Sequence, residues 1–139
     1  MEKVLVDTGP LVAVLDRSDR HHAACVATLR DIRAPLISVW PVLTEASHLL
    51  APFPQAQDEL LGLVLDGALR IEPVLETDIG RMRQFMLKYR DLAMDLADAA
   101  LLSVAERLEV RSVFTTDRRD FSLYRTKSRT RLRLLPRTR

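Results

Sequence analysis

Four acidic side chains occur where this 139-residue chain would otherwise place apolar or neutral groups. Asp7 closes the apolar run Val4-Leu5-Val6, and Asp117 follows Val113-Phe114-Thr115-Thr116. Glu45 interrupts a helical stripe of Val42, Ala46 and Leu49, while Asp98 shares a helix face with Leu101, Leu102 and Ala105. A carboxylate withdrawn from water is unfavourable unless a cation or hydrogen-bond donors compensate it. Carboxylates a few ångströms apart also repel, and some take up protons unless a cation lies among them. All-oxygen ligation selects a hard divalent ion, most simply Mg2+ or Mn2+, over zinc or copper. Such an ion can activate water and neutralise charge building on a phosphoryl group. The chemistry these residues predict is therefore in-line hydrolysis of a phosphodiester.

Each acid has an ordinary explanation as well. Asp7 can cap the helix after it, Asp98 can occupy the third position of a helix capped by Asp95, and Asp117 can open the turn Asp117-Arg118-Arg119-Asp120. Glu45 is hardest to excuse, because it lies mid-helix on the apolar stripe. Four coincident excuses are a poorer account than one shared ion. Other chemistries fit less well. Four scattered glycines (Gly9, Gly62, Gly67, Gly80) make no phosphate loop, and there is no Gly-x-Ser-x-Gly elbow. Three histidines and one cysteine are too few for zinc. His21 and His22 open a helix and are read as solvent-facing. His48, one turn after Glu45, reads as a surface or packing residue before a partner of the acid.

The elements that must position these acids alternate. Lys3-Val4-Leu5-Val6 predicts a buried strand, and Asp7-Thr8-Gly9-Pro10 turns the chain into a helix over Leu11 to Asp16. Ser18 or Asp19 caps a helix to about Ile32, a strand follows at Pro35 to Ser38, and Trp40 to Leu50 is helical. Pro52 and Pro54 break that helix before another from about Gln55 to Leu65. Leu69 to Val74 reads as a strand, Glu76 to Tyr89 and Asp95 to Leu108 as helices, Ser112 to Thr115 as a strand, and Leu132 to Leu135 as a last one. Strands alternating with helices predict an α/β fold with a mostly parallel sheet covered on both faces. Sites in such sheets form at the carboxyl ends of strands, where Asp7 and Asp117 lie.

The bulk numbers agree with one soluble domain over residues 1–139, with a basic C-terminal segment from about 125. The chain is 47% hydrophobic and 29% charged, enough apolar content for a core and too much for disorder. No apolar run reaches membrane-helix length, and a strand starting almost at Met1 leaves no room for a signal peptide. The single cysteine, Cys25, excludes an internal disulfide, suits a reducing cytoplasm, and reads as a buried packing residue. The net charge of +2 conceals an asymmetry. Arg125, Lys127, Arg129, Arg131, Arg133, Arg137 and Arg139 contribute seven positive charges with no acid among them, leaving −5 on residues 1–124. A basic end beside an acidic body suits a polyanion that must approach clustered carboxylates, nucleic acid above all.

With these features together, the chain resembles the PIN-domain family, specifically the VapC-like toxin ribonucleases of type II toxin–antitoxin pairs. The resemblance spans the whole chain in four ordered blocks: Val4-Leu5-Val6-Asp7-Thr8-Gly9, Leu43-Thr44-Glu45-Ala46, Asp95-Leu96-Ala97-Asp98-Ala99-Ala100-Leu101-Leu102, and Thr115-Thr116-Asp117-Arg118-Arg119-Asp120-Phe121. It implies a three-layer α/β/α sandwich with a mostly parallel central sheet. It makes Asp7, Glu45, Asp98 and Asp117 the catalytic and metal-holding acids, with Thr8 and Thr115 as supporting hydroxyls. In the third block Asp98 is favoured and Asp95 kept as helix cap; in the fourth Asp117 is favoured over Asp120. The resemblance further implies a Mg2+- or Mn2+-dependent endoribonuclease leaving 5′-phosphate and 3′-hydroxyl ends, usually a homodimer and neutralised by a small antitoxin. A non-catalytic RNA-binding or assembly module keeping the same fold is the alternative, and a metal-dependent phosphatase on small substrates a third.

Overall fold

A computed structural model describes residues 2–137, apart from the side chain of Ser128. Met1, Thr138 and Arg139, the last arginine of the basic segment, lie outside the described residues. The chain runs β1 (Val4–Val6), α1 (Thr8–Leu15), α2 (His22–Asp31), β2 (Leu36–Ser38), α3 (Trp40–Leu49), α4 (Pro54–Leu65), β3 (Leu69–Ile71), α5 (Glu76–Lys88), α6 (Leu96–Leu108), β4 (Ser112–Phe114), α7 (Arg118–Leu123), β5 (Arg125–Thr126), β6 (Thr130–Arg131) and β7 (Arg133–Leu135).

Five strands form one sheet in the order β3-β2-β1-β4-β7, every neighbouring pair parallel. The chain steps from β1 to β2 to β3 in one direction, then crosses back to β4 on the other side of β1. That reversal places the topological switch between β1 and β4, where open α/β sheets leave a crevice. Helix α1 packs on α2, α3 and α4, and α5 packs on α6, as expected if the two sets cover opposite faces of the sheet. The expected three-layer arrangement is present. Helix α3 packs against both α1 and α6, so Glu45 lies at the rim where the layers meet.

Apolar continuity explains the strands. Val4, Leu5 and Val6 are all buried, as strands covered on both faces require. Helix α6 is buried from Ala97 through Ala105 apart from Asp98, which is half-buried. Two ion pairs fasten it to α5: Arg81 grips Glu106 in a bidentate pair at 2.7 and 3.0 Å, and Arg107 Nε–H is shared between both Asp78 oxygens at 3.1 and 3.2 Å.

Several elements depart from the sequence reading. Neither Ser18 nor Asp19 caps α2; Asp16 accepts the Ser18 amide and hydroxyl, Asp19 accepts the His21 amide, and the helix starts at His22. His22 faces inward, its Nδ1 2.7 Å from the Ala13 carbonyl oxygen. Strand β3 stops at Ile71, since Pro73 offers no amide to the ladder. On α3 the buried stripe is Val42, Leu43 and Ala46, continued by Leu50, while Leu49 is 52% exposed. The predicted turn at Asp117 is the start of a short helix. Cys25 is buried as expected. The basic end is built into the fold: β5 and β6 form an antiparallel hairpin and β7 completes the sheet, with Arg133 paired to Glu2.

One close approach locks the two acid-bearing loops together. A Cβ on Gly9 would lie 2.0 Å from Thr116 Oγ1, closer than atoms pack, and a tight 3.2 Å from its Cβ. Gly9→Ala is therefore expected to destabilise the fold by about 1–3 kcal/mol, as overpacking does. Thr116→Ala should relieve most of that loss in the double variant, and urea unfolding of the four proteins measures the coupling.

Candidate active site

Strand β1 delivers Asp7 to the carboxyl edge of the sheet, where its amide donates to the Phe114 carbonyl oxygen at 3.0 Å. Asp7 stands at the position before α1 yet makes no side-chain cap there. Its Oδ2 instead accepts from Thr115 Oγ1 at 2.8 Å. Thr115 is fully buried, and the same hydroxyl accepts from the Asp117 amide at 3.0 Å. One hydroxyl thus joins the end of β1 to the loop after β4. Asp117 caps α7, accepting from the Asp120 amide at 3.2 Å.

Asp95 caps α6, its Oδ1 accepting from the Asp98 amide at 2.8 Å. The Asp98 carboxylate turns the other way, its Oδ2 accepting from the hydroxyl of Tyr124 at 3.1 Å. Glu45 and Asp95 line one open groove with Trp40, Thr44, His48 and Leu96. His48 is an exposed member of that groove. Thr8 Oγ1 is buried without a formed hydrogen bond.

The electrostatics show that all four acids share one region. Burial pushes Asp7 up to about 6, with the Glu45 and Asp117 charges adding to the rise and the Thr8 amide and Thr115 hydroxyl opposing it. Asp98 is pushed up to about 8 by burial, then by Asp7, Asp95 and Asp117, against the Tyr124 hydroxyl. Burial raises Glu45, followed by the charge of Asp95 and a shared hydrogen bond with it, with nearby Thr8 offsetting a part. Burial also raises Asp117 against the opposing Asp120 amide; the Asp120 carboxylate reinforces the rise and Arg119 opposes it. Burial first and Asp98 second keep the Tyr124 phenol protonated, hence a donor.

The structure thus brings together Asp7, Glu45, Asp98 and Asp117, with Thr8 and Thr115 between them. Asp95 joins the group through its charge, and Asp120 through Asp117. Tyr124 is a hydrogen-bonding neighbour of the acids that sequence reasoning missed. A lone aromatic outside the acidic blocks carries no local signal of its contact with Asp98, 26 residues away. Among the described residues no three acidic, histidine or cysteine side chains already close into a ligand cage. The donors nevertheless fit a hard cation. They are all oxygen, they carry excess negative charge, and the orphaned Thr8 hydroxyl offers one more oxygen.

Comparisons with known proteins bear on the family and the fold. The family model of the PIN domain matches residues 4–127. Ribonuclease VapC26 of Mycobacterium tuberculosis is 31% identical over 136 residues, spanning 96% of this chain and 100% of its own. Among solved structures, Mycobacterium tuberculosis VapC20, described as a Sarcin-Ricin loop cleaving toxin, has a TM-score of 0.78 at 16% identity, covering 84% of this chain and 91% of its own. A toxin-antitoxin complex from Klebsiella pneumoniae contains a chain with a TM-score of 0.65 at 18% identity, covering 86% of this chain and 90% of its own.

The raised acids make metal-free stability depend on pH. Unfolded, Asp7 and Asp98 titrate near 3.8; folded, they titrate near 6 and 8. Between those values the folded state binds more protons, so stability falls as pH rises. The contribution of Asp7 is lost between about 4 and 6, and that of Asp98 between about 4 and 8. In chelator, melting temperature should therefore fall from pH 5 to pH 8. Asp7→Asn should stabilise the protein by about 1–3 kcal/mol at pH 8 and by less at pH 5. Thermal melts of both proteins across that range check the sign.

Proposed function

The chain belongs to the PIN domain family, and from that premise we propose that it is a Mg2+- or Mn2+-dependent endoribonuclease, the VapC-like toxin of a toxin–antitoxin pair. The observation that carries this reading is the mutual charge of the acids at the carboxyl edge of the sheet: all four are held above their ordinary range by burial, and neighbouring carboxylates reinforce the rise. A pure RNA binder gains nothing from carboxylates facing a polyanion. A hard divalent ion converts the same carboxylates into a site.

In this proposal Asp7, Glu45 and Asp98 hold the ion and Asp117 completes or tunes the site. When bound, it supplies Lewis acidity toward a phosphodiester and a more acidic water. The chain's own groups do the positioning. Thr115 fixes the Asp7 carboxylate and ties it to the loop carrying Asp117. Thr8 stands close enough to Glu45 for its hydroxyl to lower the acid's proton affinity, although no hydrogen bond of good geometry is closed. Arg119 is exposed beside Asp117 and Arg118 half-buried next to it. With the basic C-terminal segment they would attract the RNA backbone through screened, salt-dependent contacts. Scission would leave 5′-phosphate and 3′-hydroxyl ends.

The remaining parts of the proposal come with the relatives. The Klebsiella pneumoniae neighbour is a toxin-antitoxin complex, which supports a small antitoxin as partner. A homodimer and a cytoplasmic location follow from the same family reading. Among the described residues no helix is long and apolar enough to cross a membrane.

End-labelled RNA incubated with Mg2+ or Mn2+ tests the reading. Cleavage is expected to stop in chelator and to return when the ion is restored. Asp98→Asn is expected to fold and to lose at least about 100-fold in rate, since even outer partners of metal ligands reach such losses. RNA binding that ignores chelator, with no cleavage under any ion, would instead support the non-catalytic module.

A further inference from the structure

We propose that Tyr124 is a positioning residue for Asp98, holding one carboxylate oxygen so that the other is presented to a divalent cation. The assignment rests on the nuclease reading above and adds to it a residue that lies outside the four acidic blocks.

The argument starts from burial. Tyr124 has no exposed surface, and its ring is wedged between Phe121 and Tyr89 at centroid distances of 5.1 and 4.9 Å. A buried phenol needs a hydrogen-bond partner, because an unsatisfied hydroxyl loses its water without replacement. The partner here is Asp98 Oδ2 at 3.1 Å. With the ring clamped on two sides, the hydroxyl has a fixed location and the carboxylate is fixed in turn. Asp7 is held in the same manner, one oxygen accepting from the buried Thr115 hydroxyl. Asp7 and Asp98 therefore each have one oxygen held by a buried hydroxyl. Tyr124 also ends α7, the helix that Asp117 begins, so its contact with Asp98 ties that helix to α6. Two acids from distant parts of the chain are thereby kept in register.

Tyr89 supplies the control. It is a buried tyrosine of the same stack, and its hydroxyl accepts from the Arg125 amide at 2.9 Å instead of serving an acid. Tyr124→Phe and Tyr89→Phe each delete one buried hydroxyl and keep the ring. Mn2+ binding by calorimetry, the Mn2+-induced rise in melting temperature, and kcat and KM on RNA are measured for both variants and the parent protein. Tyr124→Phe is expected to weaken Mn2+ binding about 10-fold or more, to shrink the Mn2+-induced rise, and to lower kcat with KM unchanged. Tyr89→Phe is expected to leave Mn2+ affinity and kcat at parental values, whatever its effect on stability. Parental Mn2+ affinity in Tyr124→Phe, or equal losses in both variants, overturns the assignment alone. A parent protein that binds no Mn2+ overturns the nuclease reading and the assignment with it.

Discussion

Gathering negative charge at one edge of a sheet works against folding, and the rest of this structure is arranged around that opposition. Asp7 is 6% exposed, and the half-buried Asp98 lies close enough to feel its charge. Like charges this near, partly stripped of water, disfavour their own ionisation. The raised proton affinities at all four acids are the direct expression of that strain. A fold selected for stability alone would remove such groups or pair each with arginine. Arginine pairing is available to this chain, as the two clamps between α5 and α6 demonstrate. Among the described residues it is absent from the innermost acids, which accept from neutral hydroxyls. A hydroxyl orients a carboxylate without cancelling its charge, which leaves the charge free to act on something else.

The sheet topology decides where that charge accumulates. The reversal between β1 and β4 opens a crevice at their carboxyl ends, and each strand delivers an acid directly to it. Helix α3 reaches the same rim by packing on α1 and α6 together. Helix α6 brings Asp98 in its first turn, with Asp95 accepting the Asp98 amide at the cap. The acids come from four separated segments, and no local rule requires them to meet. Their meeting follows from one parallel sheet with right-handed connections.

Much of this was legible in the sequence, for a definable reason. Buried parallel strands are written as apolar runs, so β1 and β4 are visible, and an acid ending such a run is conspicuous. Glu45 was visible because it interrupts a helical stripe, although the stripe itself was misread at Leu49. A helical period assigns residues to a face only within about a turn, and the chain leaves α3 at Leu50 with that side chain turned inward. The cap of α2 was missed because Asp16 and Asp19 spend their oxygens on the preceding turn. His22 was misjudged because its partner, the Ala13 carbonyl, belongs to the neighbouring helix. Tyr124 was beyond reach for the same kind of reason. Its role depends on a contact across 26 residues, and an aromatic at that spacing reads simply as core.

The basic end is where sequence and structure differ most in meaning. Read as a charge run, the segment from Arg125 suits a polyanion and offers its arginines as equally available. Folded, it divides by function. Arg133 is tied to Glu2, and its strand completes the sheet beside β4, where the Leu135 carbonyl accepts the Thr115 amide at 3.2 Å. Arg125 turns back onto the carbonyls of Ser122 and Tyr124. Arg118, although next to Asp117, donates to the Pro136 carbonyl. Part of the positive charge therefore braces the very loop that presents Asp117 and Thr115, and only the exposed remainder is placed to attract a polyanion. Support of the acids and free positive surface thus draw on different arginines. A net charge summed over that segment cannot separate the two.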